Sequence, residues 1–290
     1  MQNDKSLSSQ AESYGKTASP SFSVVDKQHK YKADKLYKRL RHHVGRAIGD
    51  YGMIEEGDKI LVCMSGGKDS YAMLDLLLSL KRSAPVDFTL LPVHIESGFP
   101  NSPWQRLEEH LKRVGLEYRI IKKPVYELCK AKVKEGKPYC SMCSRLRRGF
   151  LYATARELGA NKLALGHHKD DALCTLFLNL FYGGILKSMP PVLRTDTDDL
   201  TVIRPLIYCR ERDIKLLSEL KQYPLLPKGL CGFGEDQQRA SMARMIRSWE
   251  KDFPKRADIV FHAMQNVKPS HLFDKELFDF SKISNGPRIK

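Results

Sequence analysis

The chain has no apolar run of the roughly eighteen residues that a membrane-spanning helix needs, so no membrane partner is expected. Its opening residues, Met1-Gln2-Asn3-Asp4-Lys5, lead a polar stretch without the apolar centre of a secretory signal. Asp4, Glu12 and Asp26 also fit poorly in an acid-poor transit peptide. A cytoplasmic location is the expectation. Acidic residues are few beside basic ones, 34 against 49, which leaves a formal net charge of +15. An excess of that size favours a polyanion such as nucleic acid over a merely well-solvated surface. The seven cysteines are an odd number. In a cytosolic chain that argues against a disulfide framework and for metal binding or redox chemistry. No internal repeat is visible.

What is present reads as one sizeable α/β core with small additions. Residues 1–30 are rich in Ser, Gln, Lys and Asp and are expected to be a disordered tail. Residues 31–58 form a basic helical segment. Leu36, Leu40, Val44 and Ile48 recur every fourth position from Asp34 to Tyr51, with Lys35, Lys38, Arg39, Arg41 and Arg46 between them. Residues 59–210 alternate short apolar runs with helical stretches. Strands are expected at Lys59–Met64, Phe88–Ile95, Tyr118–Ile121 and Lys162–Gly166, although Pro92 weakens the second. Helices are expected at Ser70–Leu80, Trp104–Val114, Arg145–Leu158 and Asp171–Phe181. This alternation predicts a doubly wound parallel sheet covered by helices on both faces. Gly183-Gly184 and Pro190-Pro191 mark Tyr182–Leu200 as a long loop. Residues 211–272 read as a C-terminal helical segment, with helices from Glu211 and from about Gln238, and residues 273–290 as a tail.

The most informative residues are Ser65-Gly66-Gly67-Lys68-Asp69-Ser70, which follow an apolar strand and open a helix. Backbone N–H groups gather there at the positive end of the helix dipole. Two glycines let an anion approach the backbone, Ser65 and Ser70 offer hydroxyls, and Lys68 adds a cation. Asp69 is an odd acid for an anion site unless a divalent metal bridges it to phosphate. The common NTPase P-loop does not fit, because position 62 is Val rather than Gly and Asp69 follows the lysine instead of Ser or Thr.

Cys140-Ser141-Met142-Cys143 is a Cys-x-x-Cys pair, which suits a zinc half-site, a thioredoxin-type couple or iron–sulfur ligation alike. There is no second pair. Cys231, between Pro227 and Gly234 in an expected loop, is the best single distant cysteine. Cys63 and Cys174 read as small buried residues, and Cys129 and Cys209 as structural. Three thiolates would leave one position of a four-iron centre open, and an open iron can hold an exogenous sulfur.

Ser65 to Ser70 resembles the PP-loop signature Ser-Gly-Gly-x-Asp-Ser. Together with the cysteines and with CSMCSRLRRG (140–149), GHHKDD (166–171), LFLNLFYGG (176–184), IRPLIYCR (203–210) and AMQNVKPSHL (263–272), it makes the chain resemble the tRNA 2-thiocytidine synthetase family from about Tyr37 to Leu272. The resemblance implies an adenine-nucleotide α-hydrolase (PP-loop) fold with flanking helices. It implies ATP cleaved between its α and β phosphates, Mg²⁺, and a [4Fe-4S] cluster on Cys140, Cys143 and Cys231. It further implies a homodimer and, as target, cytidine 32 in the tRNA anticodon loop. A cysteine desulfurase is the expected sulfur donor. Lys68 and Asp69 are the expected catalytic pair. His167, Asp170 and Asp171 are candidates to position Mg²⁺ or nucleotide, against a plain helix cap by one of the aspartates. Arg145, Arg147 and Arg148 are candidates for tRNA phosphates, against a solvated helix face. The rivals are a PP-loop thiolase acting on uridine, zinc chemistry without iron, and a basic RNA-binding protein with a vestigial nucleotide site.

Overall fold

The computed structural model describes residues 24–133, 139–196, 199–227, 229–230 and 237–284, with side chains from 31 to 283 within those limits. Its centre is a six-stranded sheet in the order β3-β2-β1-β4-β6-β5. The strands are β1 (Asp58–Cys63), β2 (Phe88–Glu96), β3 (Arg119–Lys122), β4 (Lys162–Ala164), β5 (Val192–Arg194) and β6 (Thr201–Ile203). All pairs are parallel except β5 with β6.

Both faces of the sheet are buried, as alternation along single strands shows. Ile60 and Val62 of β1 join one apolar cluster while Leu61 joins the other, and Ile203 and Val202 of β6 divide in the same way. One face is covered by α1 (Val24–Asp50), α2 (Lys68–Lys81), α3 (Gln105–Val114), α6 (Lys169–Leu178), α7 (Glu211–Lys221), α8 (Gln237–Asp252) and α9 (Arg256–Ala263). The other is covered by α4 (Val125–Lys132) and α5 (Cys140–Glu157). A last short helix, α10, spans Ser281–Ser284. The doubly wound α/β expectation is met.

Several local expectations are corrected. Helix α1 begins at Val24, not Asp34, so residues 24–30 are helical rather than part of a disordered tail; residues 1–23 lie outside the described residues. Its apolar positions Leu36, Leu40 and Val44 are buried as expected. Arg39 pairs with Asp213 at 2.8 Å and Arg41 bonds the hydroxyls of Ser79 and Ser83, so two of the basic residues fasten α1 to α7 and α2. Pro92 sits well inside β2 at no cost to the ladder. Met64 donates to the Val93 carbonyl, which turns position 92 to the opposite side, and β3 pairs only from Val93 onward. The stretch 182–200 is not wholly loop, since β5 forms within it along β6. Helix α5 starts at Cys140 rather than Arg145, which puts both cysteines of the pair on its first turn.

At the end of the sheet away from the motifs, Lys162 lies 2.7 Å from Asp58, both almost fully buried. Asp58 also accepts from Asn161 Nδ2 and the Glu55 amide, and these contacts satisfy a charge pair that would otherwise be costly to bury.

The strand order reverses between β1 and β4, because the chain winds outward from β1 through β2 to β3 and then returns to β4 on β1's other flank. Such a switch point opens a crevice at the carboxyl ends of the two strands. Ser65–Ser70 leaves β1 there and GHHKDD leaves β4 beside it.

Candidate active site

The loop after β1 closes on itself. Ser70 Oγ donates to the Gly67 carbonyl at 2.8 Å, the Gly67 amide reaches Ser65 Oγ, and the two serine hydroxyls lie 3.3 Å apart. Lys68, Asp69 and Ser70 form the first turn of α2, whose N-cap residue, Gly67, offers no side chain. The Ser70 amide bonds the Gly67 carbonyl at 3.1 Å, which leaves the Lys68 and Asp69 amides for an external anion. Gly66 holds φ +80, and a Cβ there would collide with the Leu226 side chain. The Leu226 amide donates to the Gly66 carbonyl at 2.9 Å, and Tyr71 Oη donates to the Pro224 carbonyl at 2.9 Å. The segment after α7 is thus strapped over the loop. Gly166, after β4, comes within about 3.3 Å of Asp69 where a Cβ would stand, so the two motifs touch.

Two cavities flank the loop. The first, of 410 Å³, is lined by Lys68, Asp69, His168, Asp171, Glu211 and Arg239 among others. Lys68 lies 3.1 Å from both Asp69 and Glu211. Burial works against its ammonium, but the two carboxylates outweigh it and hold its pKa above the ordinary lysine value. Asp69 Oδ1 is buried without an aligned hydrogen bond. A buried anionic oxygen with spare valence beside an anion-binding loop fits a hard divalent cation such as Mg²⁺.

His168 caps α6 in place of the aspartates considered from sequence. Its Nδ1 accepts from the Asp171 amide, while Asp171 Oδ2 accepts from the His168 amide at 3.0 Å. With Nδ1 accepting, Nε2 carries the proton and faces Asp171 and Asp69 at 3.4 and 3.7 Å. Burial acts to raise the Asp171 carboxyl, but His168, His167 and Arg239 hold it below the usual carboxylate range. Asp170 is committed elsewhere, to the Arg210 guanidinium and the Glu211 amide at 2.6 Å, so it locks α6 to α7. His167 lines neither cavity; burial, only partly countered by Asp171, pushes it down to about 4.

The second cavity, of 300 Å³, brings Ser65 of the loop together with Cys140, Cys143 and Arg147. Three residues apart on one helix turn, the two sulfurs share a face. Cys140 is exposed and Cys143 half-buried. Leu230 also lines this cavity, so the chain reaches it at the residue before Cys231, which itself lies outside the described residues. Among the described residues no three His, Cys, Asp or Glu side chains form a ready metal site. Two helix-terminal thiols on an open cavity, with a third cysteine next in sequence to a lining residue, fit a thiolate-bound centre with a free coordination position.

The other cysteines separate from this pair. None of the six described cysteines is in a disulfide. Burial pushes the thiols of Cys174 and Cys209 up to about 11 and about 12. Cys63, expected to be buried core, is half-buried at the end of β1. Cys129 is buried as expected, but it shares a hydrogen bond with Cys143 and so underlies the pair directly. The three arginines also divide. Arg147 turns into the second cavity with a buried, unbonded Nε, while Arg145 and Arg148 stay exposed. Sequence reasoning missed Glu211, Arg239 and His94 as lining residues, since each reaches the loop only through the fold.

A glycine-rich loop at the switch point of a doubly wound sheet, opening a helix with Lys68 and Asp69, defines a PP-loop protein, and residues 27–224 match the PP-loop domain family. The chain is 54% identical over 265 residues to the tRNA-cytidine(32) 2-sulfurtransferase of Cronobacter sakazakii, covering 91% of this chain and 86% of that one. It is 52% identical to the protein of the same name from an Escherichia coli strain, covering 91% and 85%. The chain belongs to the tRNA-cytidine(32) 2-sulfurtransferase family. Among solved structures, the U34-tRNA thiolase NcsA from Methanococcus maripaludis, determined with its [4Fe-4S] cluster, shares the fold. Its TM-score is 0.65 at 21% identity, over 82% of this chain and 81% of that one.

Proposed function

We propose that the protein converts cytidine 32 of tRNA to 2-thiocytidine in an ATP-dependent reaction that forms AMP and pyrophosphate. The observation that carries the reading is the second cavity, where the PP-loop and the cysteine pair share one space. The pyrophosphate half of ATP would meet the Lys68 and Asp69 amides with Lys68 as counter-charge, and Asp69 would hold part of a Mg²⁺. Fixed donors placed where charge builds on the phosphates provide most of the catalysis. The target base leaves its stack to reach this depth. Its C2 oxygen attacks the α phosphorus and pyrophosphate leaves; a sulfur then displaces the adenylated oxygen and AMP departs. Cys140, Cys143 and Cys231 would hold a [4Fe-4S] cluster with an open iron for that sulfur, which a cysteine desulfurase persulfide would deliver at the sulfide level once an external thiol reductant supplies the two electrons that cleave its S–S bond. Arg147 lies between the two chemistries, and its cation can balance charge on the α phosphate. The working form is a cytoplasmic homodimer.

The test is an anaerobic reaction of purified protein with ATP, Mg²⁺, a sulfur source and a tRNA transcript. 2-Thiocytidine appears when cytidine stands at position 32, and no thionucleoside appears when uridine replaces it. Thiolation of the uridine transcript instead would give the reaction to the uridine-specific alternative.

The net charge of +15 leads to a further expectation. Affinity for tRNA falls steeply with salt, and Arg145→Ala with Arg148→Ala together reduce the slope of log K against log salt by about 1.5, two phosphate contacts' worth. A binding titration from low to moderate salt measures it. An unchanged slope returns these two arginines to the role of a solvated helix face.

A further inference from the structure

His94 is 4% exposed, on β2 next to the carboxyl end of β1. Its Nδ1 lies 2.7 Å from the Met64 carbonyl oxygen. A carbonyl only accepts, so Nδ1 carries the ring proton and Nε2 of the neutral imidazole is a bare lone pair. Among the described residues Nε2 has no hydrogen-bond partner, and the ring lines the second cavity. Burial is the largest reason why His94 titrates below the ordinary histidine value; the bond to Met64 acts the other way and the Arg147 cation adds to the lowering. The acceptor is therefore present at neutral pH.

The cavity around it has the character of a base site. Phe99, Tyr139, Leu226 and Pro227 provide flat or apolar walls, and 300 Å³ admits an aromatic heterocycle. The other polar side chains on the lining are the Arg147 guanidinium, which only donates, the thiols of Cys140 and Cys143, and the hydroxyls of Ser65, Ser97, Ser102 and Ser144, which can donate or accept. His94 Nε2, with the ring proton on Nδ1, can only accept, and a ligand that filled the cavity without offering it a donor would bury it unpaired at a cost. Amine-bearing bases supply that donor. Cytosine and adenine carry an exocyclic NH₂ where uracil and hypoxanthine carry a carbonyl oxygen, whose lone pairs would face those of Nε2.

We propose that His94 Nε2 accepts a hydrogen bond from the exocyclic amino group of a nucleobase seated in this cavity, the adenine of ATP or the target cytosine, and makes the site select an amine over a carbonyl. This deepens the proposed function and rests on it for the identity of the two bases. A site built to bond a polar group rejects the analogue lacking it far more strongly than an apolar pocket rejects a misfit.

The experiment pairs removal of the amine with removal of the acceptor. Wild type and His94→Phe are assayed by equilibrium binding and by tRNA-dependent pyrophosphate release. The substrates are ATP or its 6-deamino analogue, and tRNA carrying cytidine or 2-pyrimidinone at the target position. In wild type, loss of the interacting amine costs about tenfold or more in affinity or kcat/KM. In His94→Phe that particular loss shrinks to within about twofold, because the partner is already gone. Coupling to the 6-amino group identifies adenine as the base, and coupling to the 4-amino group identifies cytosine; either supports the proposal. Full sensitivity to both amines in His94→Phe overturns it. Should that variant not fold, wild type alone decides, since indifference to both deamino analogues overturns it equally, and His94→Gln, which keeps an acceptor, retains the coupling. ATP binding needs no tRNA, so a failure of cytidine thiolation itself is read separately, from the absence of 2-thiocytidine with unmodified substrates.

Discussion

Replacing Cys140 or Cys143 by Ala abolishes thiolation and iron binding and leaves ATP binding intact. The two sulfurs lie on the first turn of α5 and line the same cavity as Ser65. A three-thiolate centre that loses one ligand keeps too few protein bonds to persist. Partners beyond the ligands cost about 10- to 100-fold when removed from metal sites, so loss of a ligand costs at least on the order of 100-fold in activity. Cys231→Ala has the same outcome, because its neighbour Leu230 already reaches the cavity. Substitution of Cys174 or Cys209 does not, since both thiols are buried and pushed far above neutral pH. Anaerobic wild-type protein is expected to carry about four irons and four sulfides per chain. Stoichiometric zinc with full activity and no iron would contradict the assignment.

Asp69→Ala reduces pyrophosphate formation by about 10²- to 10³-fold, the scale of losing one preorganised electrostatic contact in a transition state. The change is specific because of where Asp69 stands. It belongs to the first turn of α2, and its buried Oδ1 lies 3.1 Å from the Lys68 ammonium without an aligned hydrogen bond. Lys68 retains Glu211 at 3.1 Å in the variant, so stability falls by only about 1 kcal/mol or less. The expected products of wild-type turnover are AMP and pyrophosphate. ADP and phosphate, or an Asp69→Ala enzyme with ordinary turnover, would remove the adenylation chemistry.

The parts of this site that could be read from sequence are those encoded by contiguous residues. Ser65–Ser70 declares strand, anion-binding turn and helix in one stretch, and the fold sets them as expected. The Cys-x-x-Cys pair was equally plain, yet the start of its helix was not. Tyr139 at the N-cap makes no side-chain cap, so no capping residue signals that α5 begins at Cys140. Strand β5 is three residues long and follows a Pro-Pro pair; only pairing with β6 makes it a strand. Asp170 and Asp171 look equivalent in GHHKDD, but Arg210, forty residues on, takes the first while the His168 cap takes the second. His94 gave no signal at all. Its meaning depends on the carbonyl of Met64, the residue after β1, and the pairing of β1 with β2 is what brings the two together.

Whether this chain thiolates cytidine is read from nucleoside analysis of tRNA from cells with and without the protein. The expected result is that 2-thiocytidine disappears on deletion while 2-thiouridine is unchanged, and that the wild-type chain restores the former while Cys143→Ala does not. Undiminished 2-thiocytidine, or loss of 2-thiouridine in its place, would contradict it.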